Sequence, residues 1–329
     1  MPEVLAAALL YVVAAGAVQL LAALPIAAAA ESLPENNPEA AGRFWLAACA
    51  FAPAAALVLT VLALALSTSS MLPPHLERVR PHVCWRVLLE RPDAQWHFLV
   101  GGALALGLIV LAVGRFVWRW ASSLQVERMA SAHAGDGGEP VLVAHGDEPF
   151  CFAVGLGDGV AIISRGMLDL LDGQQRDAVL GHELAHIRRH DNATHLVAEL
   201  CATLSALVPL GFIYAYRWRS AAEAACDQAA ASASSAEAVV ETLELVEHAT
   251  GGVRPEWPEG LNPVYYGGVS PARRAARLMA PARAQIAPPL RAVLVVEGLV
   301  VVAALFFGRQ WVLDSLYCAG ESVLKGMGG

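Results

Sequence analysis

Gly181-His182-Glu183-Leu184-Ala185-His186 holds two histidines four residues apart with a glutamate directly after the first. On an α-helix that spacing puts both rings on one face, so His182 and His186 can aim nitrogens at one zinc ion while Glu183 stands beside the open coordination position. A carboxylate placed there suits removal of a proton from a water whose pKa the metal has lowered. The helix is signalled independently of the motif. Asp172 or Gly173 can cap it, and Gln175 completes a capping box with Asp172. Ala178, Val179, Leu184, Ala185 and Ile187 supply a buried side, and Arg188, Arg189 and His190 suit the C-terminal end. The competing reading is a pair of core histidines beside a solvated glutamate, and the surroundings bear on the choice.

Zinc with two histidines and an open position needs a third protein ligand. A third histidine six residues beyond His186 would fall at Asn192, with Arg189 where a glycine is required, so that arrangement fails. Ala222-Glu223-Ala224-Ala225-Cys226-Asp227 offers a glutamate on a second helix, with Asp227 four residues on and so on the same face. Glu223 is then the third ligand, and Asp227 can fix a ligand imidazole through its far nitrogen. Solvated acids on an ordinary helix are the alternative.

These residues carry a family resemblance. Phe150-Cys151-Phe152-Ala153-Val154-Gly155, Val160-Ala161-Ile162-Ile163-Ser164-Arg165-Gly166-Met167, the run from Val179 to Asp191 around the histidine motif, and Glu223-Ala224-Ala225-Cys226-Asp227 together cover about the middle third of the chain. They resemble the membrane-embedded gluzincin peptidases of the BlaR/MecR antirepressor type, relatives of the HtpX-type membrane proteases. Cys226 is nearer the E-x-x-C-D of the former than the E-x-x-A-D of the latter. The resemblance implies one zinc per chain, general-base catalysis by Glu183, and a protein substrate such as a cytoplasmic repressor, cut in response to a signal at the outer face. It implies a multi-pass protein of the bacterial inner membrane. A short tail stands where BlaR/MecR receptors carry a penicillin-binding sensor, so antibiotic sensing does not carry over.

Composition points the same way. The 329 residues are 57% hydrophobic and 16% charged, with a mean hydropathy of +0.51, which is outside the range of ordinary soluble domains. A net charge of -8 gives no overall basic character to argue for nucleic acid binding. Six cysteines without C-x-x-C spacing exclude a zinc ribbon or redox motif, and Cys84 could pair with Cys318 if both lie outside. Apolar runs at 4–30, 44–66 and 98–117 predict three membrane helices, and 292–307 a fourth. The first lacks a positive start and exceeds a signal core, so it is expected to be retained. Arg115, Arg119 and Arg128, with Arg273, Arg274, Arg277, Arg283 and Arg291, favour a cytoplasmic protease domain, against Arg78, Arg80, Arg86 and Arg91 outside. The fold class is a mainly α membrane protein of about four transmembrane helices with an α+β gluzincin domain. Its parts are 1–121 for three spans, 122–286 for the protease, 287–313 for the last span and 314–329 for the tail.

Short alternating runs at 141–145, 151–154 and 160–163 predict a small antiparallel sheet. Its stretch Phe150, Cys151, Phe152, Ala153 and Val154 is the candidate edge on which a substrate backbone can be laid, with an ordinary core strand as the alternative. The apolar segment from Leu196 to Tyr216 is long enough to span a bilayer, but a single crossing would part Glu223 from His182. It is therefore expected to be a hairpin or a partly lipid-contacting helix. Tyr214, Tyr216 and Arg219 are oxyanion candidates by proximity to Glu223. Asp191 is expected to end the zinc helix or pair with an arginine, and Arg273, Arg274 and Arg277 to form a membrane-proximal basic face.

The function that follows is zinc-dependent endopeptidase activity on a repressor-type protein and on the chain itself. The alternatives are HtpX-like quality control of membrane proteins, and a zinc-retaining receptor or scaffold that cleaves little. The partners are a protein substrate and the lipid bilayer; a second copy of the chain is left open.

Overall fold

The computed structural model describes residues 2–33, 37–68, 92–134, 140–250 and 271–279. Three long helices come first, α1 (Pro2–Glu31), α2 (Pro38–Thr68) and α3 (Pro92–Ala134). Three short strands follow, β1 (Val141–Ala144), β2 (Cys151–Val154) and β3 (Val160–Ser164). The remaining helices are α4 (Arg165–Leu170), α5 (Gly173–Arg188), α6 (Asp191–Leu204), α7 (Leu210–Ala233), α8 (Ala236–Thr250) and α9 (Pro271–Met279).

Segments Ala7–Glu31, Pro38–Val61 and Leu99–Ala132 are long and apolar enough to cross a membrane. Their mutual contacts are made by small residues, Ala8, Ala15, Ala56 and Ala105 among them, which let helix backbones approach. Leu21, Leu24, Leu57, Leu104 and Leu111 point outward, as lipid-facing residues do. The expected fourth span at 292–307, Cys84, Cys318 and the tail lie outside the described residues.

The boundary expected at 121/122 falls inside a continuous helix. Past its apolar part α3 runs on to Ala134, where Ala130 packs on Phe152, Val154 and Val160. Glu127 accepts the N–H groups of Leu156 at 2.9 Å and Gly157 at 3.3 Å. One rod thus belongs to both the bundle and the sheet domain.

The sheet is mixed rather than antiparallel. Its order is β1-β3-β2, with β2 antiparallel to β3 and β1 parallel to it. The reason lies in the connection from β1 to β2, which crosses the end of β3 instead of turning back as a hairpin. It passes directly over the start of α4: Gly166 N–H donates to Gly146 O at 2.9 Å, and a Cβ on Gly166 would meet Asp147 O at 2.0 Å. Only glycine allows that approach.

α5 begins as its capping box requires. Asp172 Oδ1 accepts from Gln175 N at 2.8 Å, and Gln175 Oε1 accepts from Asp172 N at 3.1 Å. It ends at His190, whose left-handed backbone, φ 53° and ψ 39°, breaks the helix and starts α6 in a new direction. The Leu196 to Tyr216 segment is a hairpin: α6 runs out, residues 205–209 turn, and α7 returns. Glu223 therefore comes back to the level of His182. A Cβ on Gly181 would lie 3.0 Å from Ala233 Cβ and 3.4 Å from Ala230 Cα, so the two helices cross closely just before His182.

Candidate metal centre and active site

Helices α5 and α7 converge three potential ligands. His182 Nε2 and His186 Nε2 are 3.1 Å apart, Glu223 Oε2 is 3.7 Å from His182 Nε2, and Glu223 Oε1 is 3.7 Å from His186 Nε2. A tetrahedral ion with ligand bonds of about 2.0–2.1 Å needs donors roughly 3.3 Å apart, and these separations bracket that value. His186 and Glu223 are buried and His182 nearly so. The donor set, two imidazoles and one carboxylate, suits zinc with one position open.

Each histidine is held by its own aspartate. Asp191 Oδ2 lies 2.8 Å from His186 Nδ1, and Asp227 Oδ1 lies 3.1 Å from His182 Nδ1. Both rings thus have Nδ1 engaged and Nε2 turned to the shared point, the tautomer a metal ligand needs. Asp227 was expected in this role. Asp191 takes it too, while also accepting from Arg189 Nε at 3.2 Å, because the left-handed His190 folds it back under His186. Burial works against charge on Asp191, but the hydrogen bond from His186 and the charges of His186 and Arg189 outweigh it and hold its carboxyl below the ordinary range.

Cys226 joins the same cluster. Its Sγ is 3.3 Å from His186 Nδ1 and 3.6 Å from Asp191 Oδ2. Burial pushes this thiol up to about 11, so at neutral pH it is a protonated donor to Asp191. His186, Asp191 and Cys226 form a second close trio, but they meet on the far side of a ring already committed to the first.

Glu183 is raised above the usual carboxylate range by burial, against the opposing pull of His182 and His186. A carboxyl tuned upward beside two ligands is a better proton acceptor near neutrality than a solvated one.

The sequence groups Arg274 with Arg273 and Arg277 on a basic face, and the structure brings it into the site. From α9 its Nε donates to Asp227 Oδ2 at 3.0 Å, its Nη2 to Asp227 Oδ1 at 2.5 Å, and its Nη1 stands 3.4 Å from Glu223 Oε2. The sequence signal was only an arginine in a cluster of three, too common a pattern to single it out. The oxyanion candidates are placed elsewhere. Tyr214 is buried in the helix core with its ring stacked on Trp45, centroids 5.9 Å apart. Tyr216 points outward, 40% exposed, and Arg219 bears on the charges of His195 and Glu199.

The substrate-strand candidate Phe150 to Val154 is an edge strand beside α5 and buried on its side-chain faces. Ser164 N–H bonds Phe150 O at 2.9 Å, which sets the phase of the ladder. Phe152 and Val154 turn their backbone groups to β3, and Cys151 and Ala153 present theirs on the outer edge. Asn192, unremarked in sequence except as a failed ligand position, donates to Ala153 O at 3.1 Å and Gly155 O at 3.0 Å. It ties the edge strand to the start of α6, just past the helix that carries His182 and His186.

Fold and site together define a metallohydrolase-type centre mounted on membrane-type helices. Residues 122–247 match the family model of Peptidase family M48. Over 92 residues the chain is 32% identical to a protease HtpX homolog of Bifidobacterium longum, covering 27% of this chain and 30% of that protein. It is 38% identical over 72 residues to one from Halobacterium salinarum, covering 21% and 25%, and 41% over 69 residues to one from Aquifex aeolicus, covering 20% and 21%. The chain spans about a third or less of the length of these relatives. No solved structure matches. The family match supports a membrane metalloprotease, with zinc the metal expected for that family.

Proposed function

We propose that the chain is a membrane-embedded zinc endopeptidase. The observation that carries this reading is the convergence of His182 Nε2, His186 Nε2 and Glu223 at near-tetrahedral separations, with Glu183 adjacent and an aspartate behind each histidine. His182, His186 and Glu223 would hold one zinc, which when bound polarises the scissile carbonyl and acidifies a water. Glu183 takes the proton of the attacking water and returns it to the leaving amine. Asp227 and Asp191 keep the two imidazoles in the ligand tautomer, and Arg274 holds Asp227. The outer edge of β2, with both backbone groups of Cys151 and the N–H of Ala153 left beside the Asn192 contact, orders a substrate segment as an added strand.

Similarity to HtpX-type proteases supports the quality-control reading over cleavage of a single repressor. The repressor reading keeps one supporting feature, Cys226 in the Glu223-Ala224-Ala225-Cys226-Asp227 pattern. The bundle suits an inner-membrane location, and Arg115, Arg128, Arg273, Arg277, Arg283 and Arg291, near the two ends of 122–286, favour a cytoplasmic active site.

The test compares wild type and Glu183→Gln in the same membranes for bound zinc and for cleavage of membrane proteins, a repressor and the chain itself. Zinc retained in both with cleavage lost in the variant is expected, and a spread of unrelated membrane substrates favours the quality-control reading. Equal processing, or none, in both proteins would sink the catalytic assignment and favour a receptor or scaffold.

A further inference from the structure

We infer that the hairpin of α6 and α7 is a re-entrant element of the membrane, its turn seated in the hydrocarbon core and its outer face covered by lipid acyl chains. This rests on reading α1, α2 and α3 as membrane-crossing, as the proposed function does.

The first ground is depth. Leu204 packs against the cluster that holds Tyr11, Val12 and Ala15 of α1, Ala56 of α2 and Ala105 of α3. A Cβ on Gly16 would meet Leu207 Cδ2 at 2.9 Å. These contacts lie at positions 11–16, 56 and 105, within the apolar spans Ala7–Glu31, Pro38–Val61 and Leu99–Ala132. At the other end of the hairpin the neighbours are polar. Arg189 Nη1 stands 3.6 Å from Glu39 Oε1, and Gly42 faces Ala221, at the start of α2. A helical rise of about 1.5 Å per residue puts Glu223 roughly 20 Å along α7 from Leu210. Half the hydrocarbon thickness is about 15 Å, so a turn near the midplane leaves the ligands at the level of the headgroups.

The second ground is the outer surface. Every exposed residue from Leu196 to Tyr216 is apolar or aromatic: Val197, Leu207, Pro209, Phe212 and Tyr216. The ionised side chain Glu199 is met by Arg119 of α3. That is how charge is accommodated at membrane depth.

The third ground is the turn itself. Non-helical backbone within a bilayer must have its polar groups satisfied by protein. Gln19, 1% exposed in α1, does this: with its amide oriented to satisfy its neighbours, the nitrogen donates to Ser205 O at 3.0 Å and Val208 O at 2.7 Å, and the oxygen accepts from Gly211 N at 2.6 Å. Cys49 Sγ lies 3.4 Å from Ala198 O and 3.6 Å from Gly211 O. A surface turn exposed to water needs no such internal partners.

The experiment places a nitroxide on single cysteines at Leu207, Phe212 and Tyr216, and at Leu104 on the outward face of α3, in the full chain. The other reactive thiols are replaced by serine and the protein is reconstituted in phosphatidylcholine–phosphatidylglycerol vesicles. Collisions with oxygen and with a water-soluble nickel chelate report depth. The expected order is Leu207 deepest and close to Leu104, then Phe212, then Tyr216, with the last two separated by about 6 Å. A lipid-buried Leu104 with water-accessible Leu207 and Phe212 overturns the re-entrant hairpin, and so does one common interfacial depth for all three hairpin sites. Water access at Leu104 instead shows that the membrane reading of the helices has failed, and the inference falls with it.

Discussion

Arg274 grips Asp227 with two donors, Nε to Oδ2 at 3.0 Å and Nη2 to Oδ1 at 2.5 Å, and so fixes the carboxylate that fixes His182. The positioning chain runs from α9, distant in sequence, to the imidazole of His182 on α5. Partners behind metal ligands typically contribute 10–100-fold to metal affinity or activity. Arg274→Gln is therefore expected to lose about that factor in zinc affinity or in kcat, with Arg274→Lys intermediate because a point charge cannot repeat the planar fork. Zinc titration against a chelator, alongside peptide hydrolysis, checks this. Unchanged values in Arg274→Gln would remove the positioning role.

Glu183 bears a cost in the metal-free protein. Its carboxyl is held above its usual range by burial, so the folded state binds that proton more tightly than the unfolded chain does. The resulting stability is present below the unfolded pKa of about 4.3 and is lost as pH rises through the folded value. Glu183→Gln should then raise the Tm of the zinc-free protein at neutral pH and flatten its pH dependence, while hydrolysis drops by about 10²–10⁴-fold. A Tm no higher than wild type at neutral pH would count against the burial argument.

The Arg119–Glu199 ion pair ties the third membrane helix to the outgoing arm of the hairpin. Breaking a buried pair on one side leaves the other charge uncompensated, at a typical cost of about 3–5 kcal/mol. Glu199 is a third exposed, so the lower end is expected for Arg119→Gln and a larger loss for Glu199→Gln, which strands the better-buried arginine. A double-mutant cycle on thermal unfolding in detergent should show the double variant milder than the sum. Strict additivity would mean the two charges do not act together.

Gln19 supplies hydrogen bonds to three backbone groups of the turn. Gln19→Leu keeps the bulk and strands Ser205 O, Val208 O and Gly211 N. Each buried unsatisfied group costs about 1–3 kcal/mol. The expected outcome is a marked fall in unfolding temperature and faster release of zinc, since the turn anchors α7, which carries Glu223. A variant as stable as wild type, with the same release rate, would show that the turn has other support.

How much was legible in the sequence differs from element to element. The H-E-x-x-H spacing, the Asp172–Gln175 capping box, the Glu223/Asp227 pair and the three long apolar helices all depend on contacts within a few residues or on composition, and each could be read directly. That Leu196 to Tyr216 reverses follows from one requirement, that Glu223 and His182 share a side of the membrane. The parallel pairing of β1 with β3 escaped because alternation reveals a strand and not its partner, and the crossing hinged on one close contact at Gly166.

Local order in this chain, the shared helix face of His182 and His186 and the apolar spans, was determined by sequence alone, because helical periodicity and hydropathy act over one or a few turns. Tertiary structure alone decided which charges meet: Asp191 folded back on His186 by a left-handed His190, Arg274 brought onto Asp227, Asn192 tied to the edge strand, and Gln19 set beneath a turn nearly two hundred residues away. Such pairings depend on how helices dock, and docking is settled by shape and burial summed over the whole molecule.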